Sequence, residues 1–404
     1  AEADGQPVAI DGDALPPDDP EAMAILASGR TVGVFQVESA GMQRYLQELR
    51  PTRIGHVQAM LALYRPGPIS VIPSYIARAR GREAVEYPHP AFEPMLKDTY
   101  GLVVYQEAIM EAATEVAGFQ PGEADQLLAA VRKKRRDVLP KWRARFVEGC
   151  VAAGVPVVVV DRFWHDLEPF SNYGFNKAHA AAYALLTYQT AYLKAHRPGA
   201  FIAACLQMDA GDADRVAVIV ADARRMGVTV TPPCVNAGDV GFALVDGVVM
   251  FGLGSVRHVG ERGGEAIVEA RRIGGPFRSA FEFRSRVPRR AVNARAMASL
   301  VDAGAFDNVD RRSDARSQLG LAPVTSRLEE MRREAEAIGQ LLSEDVASTM
   351  PWDRHGRTHR VASVARATGR VTIGGQVLSR REQASGNGGA DVWLLVGDET
   401  GEVQ

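Results

Sequence analysis

The chain has 404 residues, 46% of them hydrophobic and 24% charged, with a formal net charge of −2. That length exceeds one comfortable core, so roughly two to four domains of ordinary globular composition are expected. The near-balanced charge excludes a uniformly basic nucleic-acid coat and leaves room for a local basic stripe. Cys150, Cys205 and Cys234 are widely spaced and odd in number. They form neither a metal pattern nor a disulfide framework, which points to a reducing cytoplasm. No run reaches transmembrane length and no signal-peptide pattern opens the chain, so no membrane partner is expected.

Residues 1–20 are polar, rich in Pro, Gly and Asp, and lack an initiator Met. Their acidic residues Asp4, Asp11, Asp13, Asp18 and Asp19 read as solvated linker charges. Helical periodicity without internal proline covers 42–49, 109–116, 124–135 and 178–195. Proline-rich connectors at 65–73 and 87–94 separate these helices. A second unit is expected from about Gly211, with Asp212 or Asp214 capping a helix that Met226-Gly227 closes. Residues 228–231 are strand-like, and Asp246-Gly247 between 242–245 and 248–251 is the strongest hairpin signal in the chain. The segment Gly254-Ser255-Val256-Arg257-His258-Val259-Gly260-Glu261, before a helical 266–271, resembles a helix-hairpin-helix element. Its glycine turn lets backbone N–H groups approach a DNA phosphate, with Arg257, His258 and Gly260 as candidate contacts. The bland alternative is a plain turn between helices. Residues 293–306, with Gly304, read as the second half of that module. Mixed charges over 328–342 mark a solvated helix, and 354–369 a linker. Strands are expected at 371–377 and 392–396, joined by a flexible 385–390. The sequence stops within strand-like residues, so both ends read as cut from a longer chain.

Three stretches carry candidate chemistry. The run Tyr173-Gly174-Phe175-Asn176-Lys177-Ala178-His179-Ala180-Ala181-Ala182-Tyr183 is a Gly-aromatic turn leading into a small-residue helix. Lys177 and His179 fall in its first turn, where unpaired N–H groups and the helix dipole favour an anion. Tyr183 lies one turn further on the same face. The set suits a nucleotide or a nucleic-acid phosphate; the alternative is a buried helix with snorkelling ends. The densest basic run is Arg132-Lys133-Lys134-Arg135-Arg136, followed by Lys141, Arg143 and Arg145. It extends a helix that begins at Gly122, and reads either as a phosphate contact or as a solvated face. Arg65 sits between Tyr64 and Pro66, in a loop stiffened by Pro66 and Pro68. It is either a phosphate or template contact or a structural arginine bound to carbonyls.

Four blocks in order favour the nucleotide reading of the 173–183 run. They are Gly33-Val34-Phe35-Gln36-Val37-Glu38-Ser39, Leu63-Tyr64-Arg65-Pro66-Gly67-Pro68, Tyr100-Gly101-Leu102-Val103-Val104-Tyr105-Gln106-Glu107, and 173–183 with its continuation Tyr188-Gln189-Thr190-Ala191-Tyr192-Leu193-Lys194-Ala195-His196. Together they resemble the C-family bacterial replicative polymerases, the DNA polymerase III alpha subunits. The likeness covers nearly the whole chain, while the chain covers part of such a polymerase. It implies a multidomain, mainly α architecture with helical fingers, a helix-hairpin-helix module with a small β-hairpin, and a partial OB-like β segment. The implied boundaries are 1–30 for the end of the palm and a linker, and 31–210 for the fingers. They continue with 211–312 for the helix-hairpin-helix module, 313–369 for the charged helix and linker, and 370–404 for the partial OB-fold. At 155–160 the composition is that of a buried strand, whereas the resemblance opens a helix there, expected from about Val158 through Arg162-Phe163-Trp164.

The implied activity is template-directed DNA synthesis from dNTPs with Mg2+. The implied partners are primer-template DNA, dNTP, a sliding clamp and other replisome subunits. The family's palm aspartates precede the 34–36 region, and no matching motif occurs here, so neither a catalytic residue nor a metal ligand is assigned and the isolated chain is expected to be inactive. Nucleotide contacts are assigned to Arg65, Arg132, Lys133, Lys134, Lys177, His179 and Tyr183, and DNA contacts to Arg135 and Arg136 with Arg257, His258 and Gly260. Gln106 and Glu107 either touch substrate or order the fingers. Departures matter: the family shows paired arginines at Leu128-Ala129, glycine at Arg132 and arginine at Ala40. Leucine and alanine have no donor for a phosphate. A weak clamp-peptide candidate is Gln318-Leu319-Gly320-Leu321-Ala322, with Gln318, Leu319 and Leu321 as its contacts and no terminal aromatic. The alternatives are a non-catalytic DNA- or clamp-binding paralogue with degenerate fingers and a regulatory protein competing for the clamp.

Overall fold

The structure, a computed structural model, describes residues 15–133, 135, 137–170, 174–340, 342–343, 376–384, 390–398 and 401–403. It divides into two compact units, 1–201 and 202–404. The first unit holds α1 (Pro20–Ser28), α2 (Ala40–Leu49), α3 (Ile54–Leu63), α4 (Ile72–Ala79), α5 (Glu93–Leu96), α6 (Gln106–Glu111), α7 (Pro121–Arg132), α8 (Leu139–Ala152), α9 (Val157–Phe170) and α10 (Lys177–His196). The helix α11 (Pro198–Met208) runs across the division.

Long, capped, periodic stretches became helices where the sequence placed them, with instructive differences. Asp18 and Asp19 are structural groups, not solvated linker charges. Asp19 caps α1, accepting from Ala22 N at 2.8 Å and pairing with His196 Nε2 at 3.0 Å. Asp18 Oδ1 accepts from Ile54 N at 2.6 Å and caps the start of α3. Asp4, Asp11, Asp13 and the 354–369 linker lie outside the described residues. The 65–73 connector folds into a 3-10 turn, Pro68–Val71, and then starts α4, because proline is tolerated in a first helical turn. The 87–94 connector likewise contains the 3-10 turn Pro90–Phe92 and the start of α5.

Residues 157–170 are helical although Val157–Val160 has strand composition. Val160, Phe163 and Trp164 stand at i, i+3 and i+4 and are 0%, 1% and 5% exposed, whereas Val158 is 74% exposed. One apolar stripe with this spacing buries aromatic surface that an alternating strand would have split between two faces. The stripe joins a core with Phe92, Phe119 and Phe146 from the neighbouring elements; Phe92 and Phe163 stack at 4.3 Å. Elsewhere in the unit, α10 packs against α1 and α3.

The second unit contains α12 (Ala213–Arg225), capped by Asp212, whose side chain accepts from the N–H groups of Asp214 and Arg215. A small sheet follows, β1 (Val230–Thr231), β2 (Ala243–Val245) and β3 (Val248–Met250), in the order β1-β3-β2. Asp246 and Gly247 both have positive φ, 49° and 82°, as a two-residue hairpin turn of this twist requires. Then come α13 (Gly260–Gly274), α14 (Ala280–Arg286), α15 (Ala294–Asp302), α16 (Arg312–Leu319) and α17 (Arg327–Ile338). The carboxylate of Glu334, 0% exposed, accepts from Arg312 Nη1 and from the N–H groups of Leu342 and Ser343, each at 2.8 Å. A buried charge survives there because it is paired and hydrogen-bonded. The mixed-charge helix thus buries one member of what the sequence presents as a solvated set. Finally β4 (Gln376–Ala384), β5 (Ala390–Asp398) and β6 (Gly401–Val403) form an antiparallel sheet in that order. The predominantly helical architecture, with its small β-hairpin, agrees with the expected fold class.

Candidate functional site at the start of the long helix

Elements carrying all four sequence blocks converge on the N-terminal half of α10. Tyr105 and Phe175 form a parallel bridge, and Gln106 N donates to Phe175 O at 2.9 Å. Gln106 Nε2 donates to Gly174 O at 2.5 Å. The carboxylate of Glu107 accepts from Asn176 Nδ2 at 3.0 Å and from Lys177 N at 2.8 Å. Asn176 in turn caps the helix through His179 N at 2.7 Å. Two of the donors that the sequence left for an anion are therefore occupied by Glu107 and Asn176. A carboxylate at this position also compensates the helix dipole. Gln106 and Glu107 order the site.

The side chains of that turn point to varied partners. Lys177 Nζ lies 3.8 Å from Asp98 Oδ2 and 5.8 Å from the Tyr105 ring centre. Gln58 Nε2 donates to Lys177 O at 3.1 Å. Arg65 is half-buried; its Nε donates to Ala62 O at 2.9 Å and its guanidinium covers the Phe175 ring at 4.4 Å. That is the structural-arginine alternative in geometric form, and burial pulls its pKa down.

An aromatic row runs up the same face of α10. Phe175 meets His179 at 5.4 Å, His179 meets Tyr183 at 4.2 Å, and Tyr183 meets Phe35 at 5.3 Å. Phe35 is held from both sides of its backbone: Phe35 N donates to Thr190 Oγ1 at 3.1 Å, and Thr187 Oγ1 donates to Phe35 O at 3.0 Å. Beside it Gln36 is exposed with φ 63°, a conformation costly for a non-glycine residue. Lys194 Nζ anchors the same loop through Val32 O at 2.7 Å and is 0% exposed. Sequence reasoning missed Phe35, Asp98 and Gln58 as partners of this face. The one available signal was Thr187 and Thr190, hydroxyls on adjacent turns of the helix.

The basic run sits elsewhere. The helix α7 ends at Arg132, with Lys133 as its C-cap, so the run leaves the helix and does not extend it to residue 135. Cations there complement the negative end of the helix. Lys133, Arg135, Lys141, Gln126, Ala129 and Trp142 line a pocket of about 340 Å3. Lys133 and Lys141 are exposed, with no side-chain partner among the described residues. Arg135 pairs with Asp137 at 2.7 Å, and Arg143 with Asp161 at 2.6 Å. Arg145 binds the carbonyls of Ala117 and Gly118. The side chains of Arg132, Lys134 and Arg136 lie outside the described residues. No hydrogen bond, ion pair or ring contact among the described residues joins the pocket's cations to Lys177, His179 or Tyr183. Leu128 is 9% exposed within the aromatic core, so an arginine there would require repacking, while Ala129 faces the pocket.

In the second unit, Arg257 and His258 are exposed just before α13, and His258 and Gly260 both have positive φ, 69° and 66°. The clamp-peptide candidate begins in the last turn of α16, which holds Gln318 and Leu319 and is closed by Gly320. Gln318 accepts from Phe281 N and donates to Asp310 Oδ1, both at 3.1 Å, and Leu319 is 7% exposed. Leu321 is half-buried. A peptide that must hand a glutamine and apolar side chains to a partner has them already engaged. Among the described residues no group of three or more His, Cys, Asp or Glu could hold a metal ion, so these residues do not fit a two-metal centre. No helix among the described residues is long and apolar enough to cross a membrane.

Comparison with known proteins identifies the family of the chain. Residues 2–154 match the bacterial DNA polymerase III alpha subunit finger domain, and residues 227–318 match the helix-hairpin-helix motif. The DNA polymerase III subunit alpha of Thermus aquaticus is 48% identical over 78% of this chain and 26% of its own length. That of Aquifex aeolicus is 41% identical over 72% of this chain and 25% of its own. The Caulobacter vibrioides subunit is 36% identical over 98% of this chain and 38% of its own. The chain thus spans about a quarter to two-fifths of the length of these relatives. It belongs to the DNA polymerase III alpha family, of which it carries the finger and helix-hairpin-helix portions.

Proposed function

We propose that this chain supplies the nucleotide- and DNA-contacting part of a replicative DNA polymerase that copies a template from dNTPs. The convergence of four separate sequence blocks on one helix start, locked by Glu107, carries this reading. Such rigidity serves positioning, which is most of what a protein contributes to phosphoryl transfer. Lys177, His179 and Tyr183 face the incoming nucleotide, and the α7–α8 pocket with Lys133 and Lys141 takes phosphate. Arg257, His258 and Gly260 contact the duplex backbone. Mg2+ is held by carboxylates of the longer polymerase, outside the residues described here. The β4–β6 sheet is the opening of an OB-fold, and the whole enzyme works in the cytoplasm with a sliding clamp and replisome subunits.

The second reading, a DNA- or clamp-binding paralogue with degenerate fingers, is favoured by one observation: neither Leu128 nor Ala129 offers a phosphate donor. Primer extension separates the two. The chain alone should incorporate no labelled nucleotide in Mg2+. Joined to the palm of a relative, it should incorporate; a fused, folded enzyme that binds primer-template but stays inert would favour the paralogue. Incorporation by the chain alone would overturn the placement of the metal site.

A further inference from the structure

We propose that Asp98 is a specificity-determining residue: its carboxylate counterbalances the Lys177 ammonium, so that the start of α10 takes a nucleoside triphosphate as its divalent-metal complex in preference to the more highly charged metal-free form. The proposal rests on the reading that Lys177 faces the incoming nucleotide. Asp98 lies in a 3-10 turn, Lys97–Thr99, whose backbone is tied down from several sides. Arg53 Nη2 donates to Asp98 O at 3.2 Å and to the Tyr100 hydroxyl at 3.4 Å. Arg78 Nη1 donates to Tyr100 O at 3.0 Å. Thr99, 3% exposed, donates to Leu96 O at 3.1 Å and to Leu102 O at 2.6 Å. These bonds fix the turn and leave the Asp98 carboxylate to its ion pair. That carboxylate is exposed, and Lys177 Nζ lies 3.8 Å from it.

Two carboxylates therefore flank Lys177. Glu107 takes its backbone N–H and Asp98 its side-chain ammonium. The other cations nearby are differently placed. Arg65 is half-buried against Phe175 and donates to Ala62 O, and Arg53 donates to the backbone of the turn. Lys97 projects about 120° away from Asp98 round the 3-10 axis. An exposed pair at 3.8 Å contributes little to stability, so the ammonium can exchange Asp98 for a phosphate oxygen. The carboxylate stays behind on its fixed turn and repels the negative charge that has arrived. That repulsion scales with the charge of the ligand. A metal-free triphosphate carries about two more negative charges than its Mg2+ complex, so it meets the larger penalty.

Calorimetric titration of the whole chain with dATP in about 50 mM salt, with Mg2+ or with a chelator, tests this. Among the described residues no group of three or more His, Cys, Asp or Glu could hold a metal ion, so Mg2+ acts through the nucleotide. Asp98→Asn keeps the shape of the side chain. It should tighten binding of metal-free dATP about tenfold and of the Mg2+ complex about threefold, with an unchanged melting temperature. Asp98→Glu, which restores the charge, should return both affinities to those of the parent. Glu48→Gln, on the exposed face of α2, removes the same charge elsewhere and should change neither. A merely structural Asp98 would not alter the ratio of the two affinities. An unchanged ratio in Asp98→Asn, or an equal shift in Glu48→Gln, overturns the proposal. Lys177→Gln separates the proposal from the reading beneath it: weaker binding there, beside an unchanged ratio in Asp98→Asn, sinks the proposal alone. Parent affinity in Lys177→Gln, or a parent chain that binds neither form, brings down both.

Discussion

Two lysines on α10 have opposite fates. Lys177 opens the helix and is partly exposed beside Asp98, whereas Lys194 is wholly buried, its ammonium donating to Val32 O. From sequence the pair looks like a matched test and control, since both lie in recognisable motifs. Burial removes Lys194 from that role: a glutamate there would place a carboxylate against a carbonyl in the core and prevent folding. Arg44, on the exposed face of α2, is the proper control. In the chain joined to the palm of a relative, Lys177→Glu should weaken nucleotide binding roughly ten- to a hundred-fold, the worth of one charge-assisted contact, and Arg44→Glu should not. Equal losses in a nucleotide titration would show that α10 does not face the triphosphate. A second residue-scale prediction concerns His56. Its Nδ1 accepts from Thr52 N at 3.2 Å and its Nε2 lies 2.6 Å from the Tyr100 hydroxyl. Burial, then the Arg53 charge, pushes its pKa down to about 4, so the folded chain holds it neutral. The unfolded chain takes up the proton nearer pH 6.5. The stabilisation is therefore complete above about pH 6.5 and is lost as the pH falls towards 4. Denaturant titrations across that window should show a shallower acid decline in His56→Gln than in the parent; parallel declines would mean that another group titrates.

At the scale of elements, α8 shows a competition between local propensity and packing. Gly149 sits inside this helix, where alanine is ordinarily favoured by about 1 kcal/mol. Yet a Cβ at Gly149 would fall well inside van der Waals contact with Ala117 O, on the backbone that leaves the π-turn Ala112–Val116. Backbone cannot swing aside as a side chain can, so packing wins. Gly149→Ala should lower the unfolding midpoint by an amount worth about 1–3 kcal/mol, the usual cost of overpacking. A raised midpoint in urea titration would mean that the two backbones part easily. The same logic explains what the sequence disclosed and what it hid. Capped helices with one apolar stripe were legible, as α10 and α12 show. So was the Asp246-Gly247 hairpin, because its φ angles are local requirements. The helix at 157–170 was legible only through resemblance, since its valines say strand and the reasons for helix, Phe92 and Phe146, lie on other elements. For the site, the sequence named Lys177, His179 and Tyr183. It could not show that Glu107 occupies the backbone donor beside them or that Asp98 faces Lys177. Those are long-range pairings that leave no periodic trace.

Over the whole molecule the formal charge of −2 gives no long-range pull toward a polyanion, so duplex binding must arise from local unpaired cations. In the finger unit the structure separates those cations from ones already satisfied. Read as sequence, the run at 132–136 predicts that neutralising Lys133, Lys134 and Arg135 together would flatten the salt dependence. The ion pair between Arg135 and Asp137 changes the choice of residues. An exposed pair of this kind contributes little to stability, but its cation is already partly neutralised before any phosphate arrives. Lys133 and Lys141 line the same pocket with no side-chain partner among the described residues, and they are the groups that can release counterions from DNA. Lys133→Ala with Lys141→Ala should therefore reduce the salt slope by about 2, and equally on duplexes of unrelated sequence, because phosphate contacts carry no base information. Arg135→Ala with Arg143→Ala, which breaks two ion pairs, should reduce it by less than about 1. Anisotropy titrations on two unrelated duplexes would check both statements. A larger change in the arginine pair would mean that DNA opens those ion pairs on binding, and a sequence-dependent change in the lysine pair would place those lysines at base edges.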